Sequence, residues 1–169
     1  MDIFDTHAHY DSRQFDEDRE ALLGAMTGPV RCVVNAGATF EGAQKSLELA
    51  HRYPGVYAAC GVHPDEVGEL EAEEPGKGEE ASETGHDGKM RVTKMAQLEQ
   101  MCRDPKCVAV GEIGLDYHWM VQPKELQQKW FIRQMALSEK VHLLLQQTRP
   151  YHLPQAMKAQ RALSSACCD

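Results

Sequence analysis

The sequence predicts an α/β fold assembled from repeated βα units. Three observations predict it. Four short runs are nearly continuous in apolar residues, the pattern of parallel strands buried on both faces. A longer segment with helical spacing follows each run. The side chains best suited to chemistry, His7, His9, His63, Glu112 and Asp116, fall where a run ends or just beyond it. Such units build a doubly wound sheet or a barrel, and in both the chemistry gathers at the C-terminal ends of the strands.

The first run is Ile3-Phe4, ending in Asp5-Thr6-His7. A charged segment from Asp16 to Met26 follows, with Leu22, Leu23 and Met26 on one helical face and Gly28-Pro29 as its stop. The second run is Val30 to Ala36. Thr39 then reads as the N-cap of a helix from Phe40 to Arg52, stopped by Pro54-Gly55. The third run, Val56 to Val62, ends in Gly61-Val62-His63-Pro64. A helix resumes near Arg91 and continues to Arg103, before the fourth run, Cys107 to Ile113. The last helix spans Pro123 to Val141, with Pro123 in its first turn and Trp130, Ile132, Met135 and Leu137 as its buried side chains.

Between the third run and the helix that follows lies an acidic stretch. Residues 65–87 hold ten acidic residues and one base, Lys77, so the rest of the chain is close to neutral despite a net charge of -8. Pro75-Gly76-Lys77-Gly78 and Gly85-His86-Asp87-Gly88 break any helix, and about 72–89 reads as a flexible, solvated insertion. The 169 residues suit one domain. The cysteines at 32, 60, 102, 107, 167 and 168 form no C-x-x-C pair, and they read as thiols of a reducing compartment. No signal peptide and no membrane span are read. The expected setting is the cytoplasm, or the nucleus in a eukaryote. Scattered Arg13, Arg19 and Arg31 form no basic patch for sequence-specific nucleic-acid binding.

His7 and His9 stand one residue apart, so in an extended strand both imidazoles point to one side and can converge on a cation. An isolated H-x-H is more often surface decoration. Its position directly after a strand, behind Asp5-Thr6, reverses that balance. Glu112, between Gly111 and Gly114, can bridge two cations or be a solvated strand-end carboxylate; flanking glycines permit close approach. Asp116 can orient a ligand imidazole or cap a turn. His63 can hold a substrate phosphate, contact ion-bound water, or be structural. His51 and His86 read as exposed. His118 can line the mouth of the site, and Tyr10 and Trp119 can stack on a base.

D-T-H-A-H-Y-D at 5–11, G-V-H-P at 61–64 and G-E-I-G-L-D-Y at 111–117, in that order and spacing, resemble the TatD family. F-D-E-D-R at 15–19 and Q-x-K-W-F-x-R-Q at 127–134 are also similar. The resemblance covers about residues 1–143 outside the insertion. These are metal-dependent hydrolases with an amidohydrolase-like TIM barrel, often described as deoxyribonucleases. The resemblance implies that His7 and His9 bind one metal and that Glu112 bridges to a second. It places His63 and Asp116 in the catalytic site. It implies two divalent ions per complete site, Mg²⁺, Mn²⁺ or Zn²⁺, and a DNA phosphodiester substrate.

The same resemblance predicts an incomplete barrel, about its first four (β/α) units, because a whole one takes roughly 250 residues. In the family a fifth strand ends in a ligand histidine, expected here near Thr148. His142 comes before that place and His152 after it. Residues 144–169 therefore read as a divergent tail. Open strand edges would invite self-association. Two further readings stay open: a catalytically silent fragment with a partial metal site, and another amidohydrolase-like reaction.

Overall fold

The computed structural model describes residues 2–26, 28–73 and 92–147. Strands β1 (Ile3–Ala8), β2 (Val30–Ala36), β3 (Val56–Ala59), β4 (Cys107–Ile113) and β5 (Leu144–Gln147) form one sheet in chain order. Every neighbouring pair is parallel. Helices α1 (Arg19–Gly24), α2 (Phe40–Arg52), α3 (Gly68–Glu71), α4 (Lys94–Cys102) and α5 (Lys124–Val141) lie in the connections. β1 and β5 are opposite edges of the sheet, yet Gln146 Nε2 donates to Thr6 O at 2.6 Å. That bond requires the sheet to curl, and the result is a partial TIM-barrel-like fold.

Several elements follow directly from local sequence. Thr39 caps α2 as expected, its Oγ1 accepting from Gly42 N at 2.9 Å. The predicted second and fourth strands have the observed bounds. β3 is shorter than its apolar run, ending at Ala59. The first predicted helix is also shorter. A 3-10 turn at Arg13–Phe15 precedes α1. Arg19 gathers it, bonding to Tyr10 O, to Ser12 O at 2.8 Å and to Asp16 Oδ1 at 2.7 Å.

The core sits mainly between sheet and helices. Leu49, Leu98, Val110, Ile113, Leu115, Phe131 and Met135 are buried there. A second cluster joins Trp130 to Phe40, Val62, Val67 and Leu70. Ile132, expected inside, is 38% exposed on the outer side of α5. Cys60, Cys102 and Cys107 are buried thiols of the main core, and Cys32 is half-buried. Hydrogen bonding to Cys107, together with burial, pushes the Cys60 and Cys102 thiols up.

Two sequence readings change here. The chain continues past residue 143 into β5, a fifth parallel strand that the apolar pattern had not separated from the tail. The acidic stretch also begins inside the fold. Glu69 accepts from Phe40 N at 2.7 Å, and Glu73 accepts from Lys94 N at 2.9 Å. Glu71 accepts from Trp130 Nε1 at 2.9 Å and from Lys129 Nζ at 2.6 Å. These carboxylates tie the loop after β3 to α2, α4 and α5. The rest of the insertion, residues 74–89 with His86, and the tail from Thr148 lie outside the described residues.

Candidate metal centre

β1 carries His7 and, one residue past its end, His9 at the C-terminal end of the sheet, and β4 brings Glu112 beside them; His7 and Glu112 line the concave face. The two Nε2 atoms are 3.0 Å apart. Glu112 Oε2 stands 3.8 Å from His7 Nε2 and 3.9 Å from His9 Nε2. His9 Nδ1 donates to Ala36 O at 2.9 Å; a carbonyl only accepts, so this nitrogen carries the hydrogen. In the neutral ring, Nε2 then presents its lone pair. Asp5 Oδ1 accepts from the backbone of His7 at 3.0 Å and fixes the strand end.

Two lone pairs this close repel unless a proton or a cation lies between them. Two nitrogens each about 2.0–2.1 Å from one ion, at a tetrahedral angle, stand about 3.4 Å apart. The observed spacing is near that value. Two imidazoles and one carboxylate suit divalent transition metals. The donor set therefore fits a cation.

The sequence-predicted residues separate into two groups. His7, His9 and Glu112 meet; His63 and Asp116 stand outside this cluster. His63 Nδ1 accepts from Asp65 N at 3.3 Å and lies 3.6 Å from Asp65 Oδ2. Burial pushes the Asp65 carboxyl up, His63 pulls it back, and Asp116 adds to the rise. Asp116 is buried, and its Oδ1 accepts from His118 N at 2.8 Å and Trp119 N at 3.1 Å. It caps the turn after the Gly-Glu-Ile-Gly motif. His118 and Trp119 are exposed in that turn, whereas Tyr10 packs on Phe15 and the core. His51 is exposed, with Nε2 2.9 Å from Asp104 Oδ2.

The flanking glycines have separate roles. Gly114 adopts φ 154, a conformation that disfavours a side chain. A Cβ on Gly111 would lie 2.5 Å from Gln146 Cβ, so Gly111 admits β5 rather than a ligand. Sequence reading missed Gln127 and Gln134, both buried on α5. Gln127 bonds to both backbone groups of Asp116, and Gln134 to both of Val62, next to His63. They are the first and last residues of Q-x-K-W-F-x-R-Q, a signal already visible in the chain.

A partial (β/α) barrel with cation-compatible donors at its C-terminal strand ends defines a metallohydrolase-like class of protein. Comparison with known proteins narrows the class: residues 4–159 match the model of the TatD related DNase family, and the chain belongs to that family. The match runs past residue 143, where the sequence-based resemblance stopped. The chain is 33% identical over 165 residues to the uncharacterized metal-dependent hydrolase YjjV of Escherichia coli, covering 94% of this chain and 55% of YjjV. It is 31% identical over 142 residues to the uncharacterized metal-dependent hydrolase YabD of Bacillus subtilis, covering 83% of this chain and 48% of YabD. It is 24% identical over 142 residues to the 3'-5' ssDNA/RNA exonuclease TatD of Escherichia coli, covering 83% of this chain and 47% of TatD. The crystal structure of YjjV superposes with a TM-score of 0.68 at 28% identity, covering 95% of this chain and 56% of YjjV. The chain thus spans about half the length of these relatives.

Proposed function

We propose that this chain carries the cation-binding part of a TatD-type phosphodiesterase acting on DNA. The convergence of His7, His9 and Glu112 at the strand ends carries this reading. The names of relatives as a ssDNA/RNA exonuclease and metal-dependent hydrolases support it. A bound divalent ion would polarise a phosphoryl oxygen and make a water more acidic. His9, fixed through Ala36 O, and His7 present nitrogen to it, and Glu112 presents charge. His63, with Nδ1 engaged by Asp65 N, keeps Nε2 as a donor for a phosphate oxygen. Exposed Trp119 offers a face on which a base can stack. A reducing cytoplasmic setting agrees with the four free cysteines among the described residues.

A second reading is favoured by one observation. Among the described residues three donors meet, enough for one ion, whereas the sequence resemblance implies two. On that reading the chain holds an ion and turns DNA over poorly. Incubation with single-stranded DNA and Mg²⁺, Mn²⁺ or Zn²⁺, with a chelated control, separates the two. Ion-dependent cleavage supports the phosphodiesterase; ion binding without cleavage supports the second reading. Neither binding nor cleavage would sink both.

The same reading includes self-association. Ile3 and Phe4 on one edge strand, and Leu144 and Leu145 on the other, are exposed. The concave face encloses about 900 Å³ lined by Phe4, Val34, Tyr57, Leu144 and Leu145 among others. Exposed apolar edges of parallel strands recruit other strands. Sedimentation of the purified chain is expected to show concentration-dependent association. A monomer at all concentrations with a sharp unfolding transition would overturn this expectation. No helix among the described residues is long and apolar enough to cross a membrane.

A further inference from the structure

Among the described residues, two buried side-chain oxygens lack a hydrogen-bond partner: Asp65 Oδ1 and Gln146 Oε1. Gln146 lines the concave face together with His7 and Glu112. Its place is set by the sheet. β4 and β5 pair at Val110↔Leu145 and again at Ile113↔Gln147, with an irregularity between. Gly111 and Glu112 thus stand against Gln146 alone, a bulge of the kind that re-aims a side chain. The orientation of the amide is also determined. Nε2 donates to Thr6 O at 2.6 Å, and a carbonyl cannot donate, so the nitrogen must face Thr6 and the oxygen must face away. Gln146 therefore bonds to Thr6, the residue before His7, and packs against Gly111, the residue before Glu112, while its buried Oε1 is without a hydrogen-bond partner.

We propose that Gln146 Oε1 is a fourth, neutral oxygen donor to the cation site of His7, His9 and Glu112. The inference rests on the cation-binding reading above. A buried amide oxygen without a partner is a cost that a cation removes. With it, a two-nitrogen, one-carboxylate set gains the fourth donor that a tetrahedral site uses. The amide adds no charge, so the site stays open to an anionic phosphate.

The test measures Mn²⁺ affinity of the full chain by electron paramagnetic resonance for wild type, Gln146→Met, Gln146→Glu and Glu112→Ala. Gln146→Met is expected to weaken binding about 10-fold or more, the scale of a lost supporting ligand interaction. Gln146→Glu puts an anionic oxygen at the same place and is expected to tighten it. If Gln146→Glu weakens binding as Gln146→Met does, the side chain only holds Thr6, and the proposal fails. If neither changes affinity, it also fails. Absence of Mn²⁺ binding in wild type, or binding unchanged in Glu112→Ala, overturns the cation-site reading and this proposal with it. A measurement on the unaltered chain guards against variants that do not fold. On addition of Zn²⁺, the Gln146 carboxamide resonance is expected to shift with those of His7 and His9. Shifted imidazoles beside an unmoved carboxamide would refute the assignment.

Discussion

Glu112→Ala is expected to lower the affinity for Mn²⁺ by more than about 100-fold, because groups that merely support metal ligands are already worth about 10 to 100-fold. It is also expected to abolish any ion-dependent cleavage of DNA. The carboxylate is the one acidic group in the cluster; without it only two imidazoles remain. Its oxygen is nearly equidistant from both rings, at 3.8 and 3.9 Å, so it closes the site symmetrically. The fold should tolerate the change. The Glu112 side chain is 15% exposed and faces the concavity rather than the helix-side core. The unfolding midpoint of the ion-free chain is expected to stay near the wild-type value, while stabilisation by added Mn²⁺ disappears. Glu112→Gln should fall between, since it keeps one oxygen and loses the charge. Calorimetric titration and thermal unfolding with and without the ion read both effects. Wild-type affinity in Glu112→Ala would place the ion elsewhere.

The pattern of apolar runs made the architecture legible because the inner strands β2, β3 and β4 are largely buried. β2 and β4 are long enough to show that signature over their whole length. β5 escaped it. Leu143 to Leu145 are followed at once by Gln146 and Gln147, and three leucines just past a helix do not announce a strand. Its existence depends on pairing with β4, a long-range contact. The His7, His9 and Glu112 cluster was legible because β1 and β4 end at the same end of a parallel sheet. The role of Asp116 was not, because choosing between a ligand orienter and a turn cap depends on where its oxygens point. The partners of Glu69, Glu71 and Glu73 were not legible for a related reason: composition shows charge, not the amide, ammonium and indole groups that meet it.

Gln127→Ala and Gln134→Ala are each expected to destabilise the fold by about 3–5 kcal/mol, the sum of a core cavity and unpaired buried groups. Against a typical total of about 5–15 kcal/mol, either loss is severe. Gln134 Oε1 accepts from Val62 N at 2.8 Å and its Nε2 donates to Val62 O at 3.0 Å. Gln127 Oε1 accepts from Asp116 N at 2.8 Å, while its Nε2 donates to Asp116 O at 2.9 Å and Gln122 O at 2.8 Å. Both glutamines are buried, so water cannot replace these bonds. At about 2–4 °C per kcal/mol for a chain of this size, the unfolding midpoint should drop by about 6–20 °C. Leucine at either position separates the two causes. It fills the space and leaves the backbone groups orphaned, so each leucine variant should recover only part of the loss. The clamps act on the loops that carry His63 and Asp116, whereas β1 and β4 hold the cation cluster. Mn²⁺ affinity measured well below the unfolding transition should therefore stay near wild type in the leucine variants. Midpoints for both alanine variants within about 2 °C of wild type, less than one kcal/mol on that scale, would show that the amide clamps are not what holds these loops to α5.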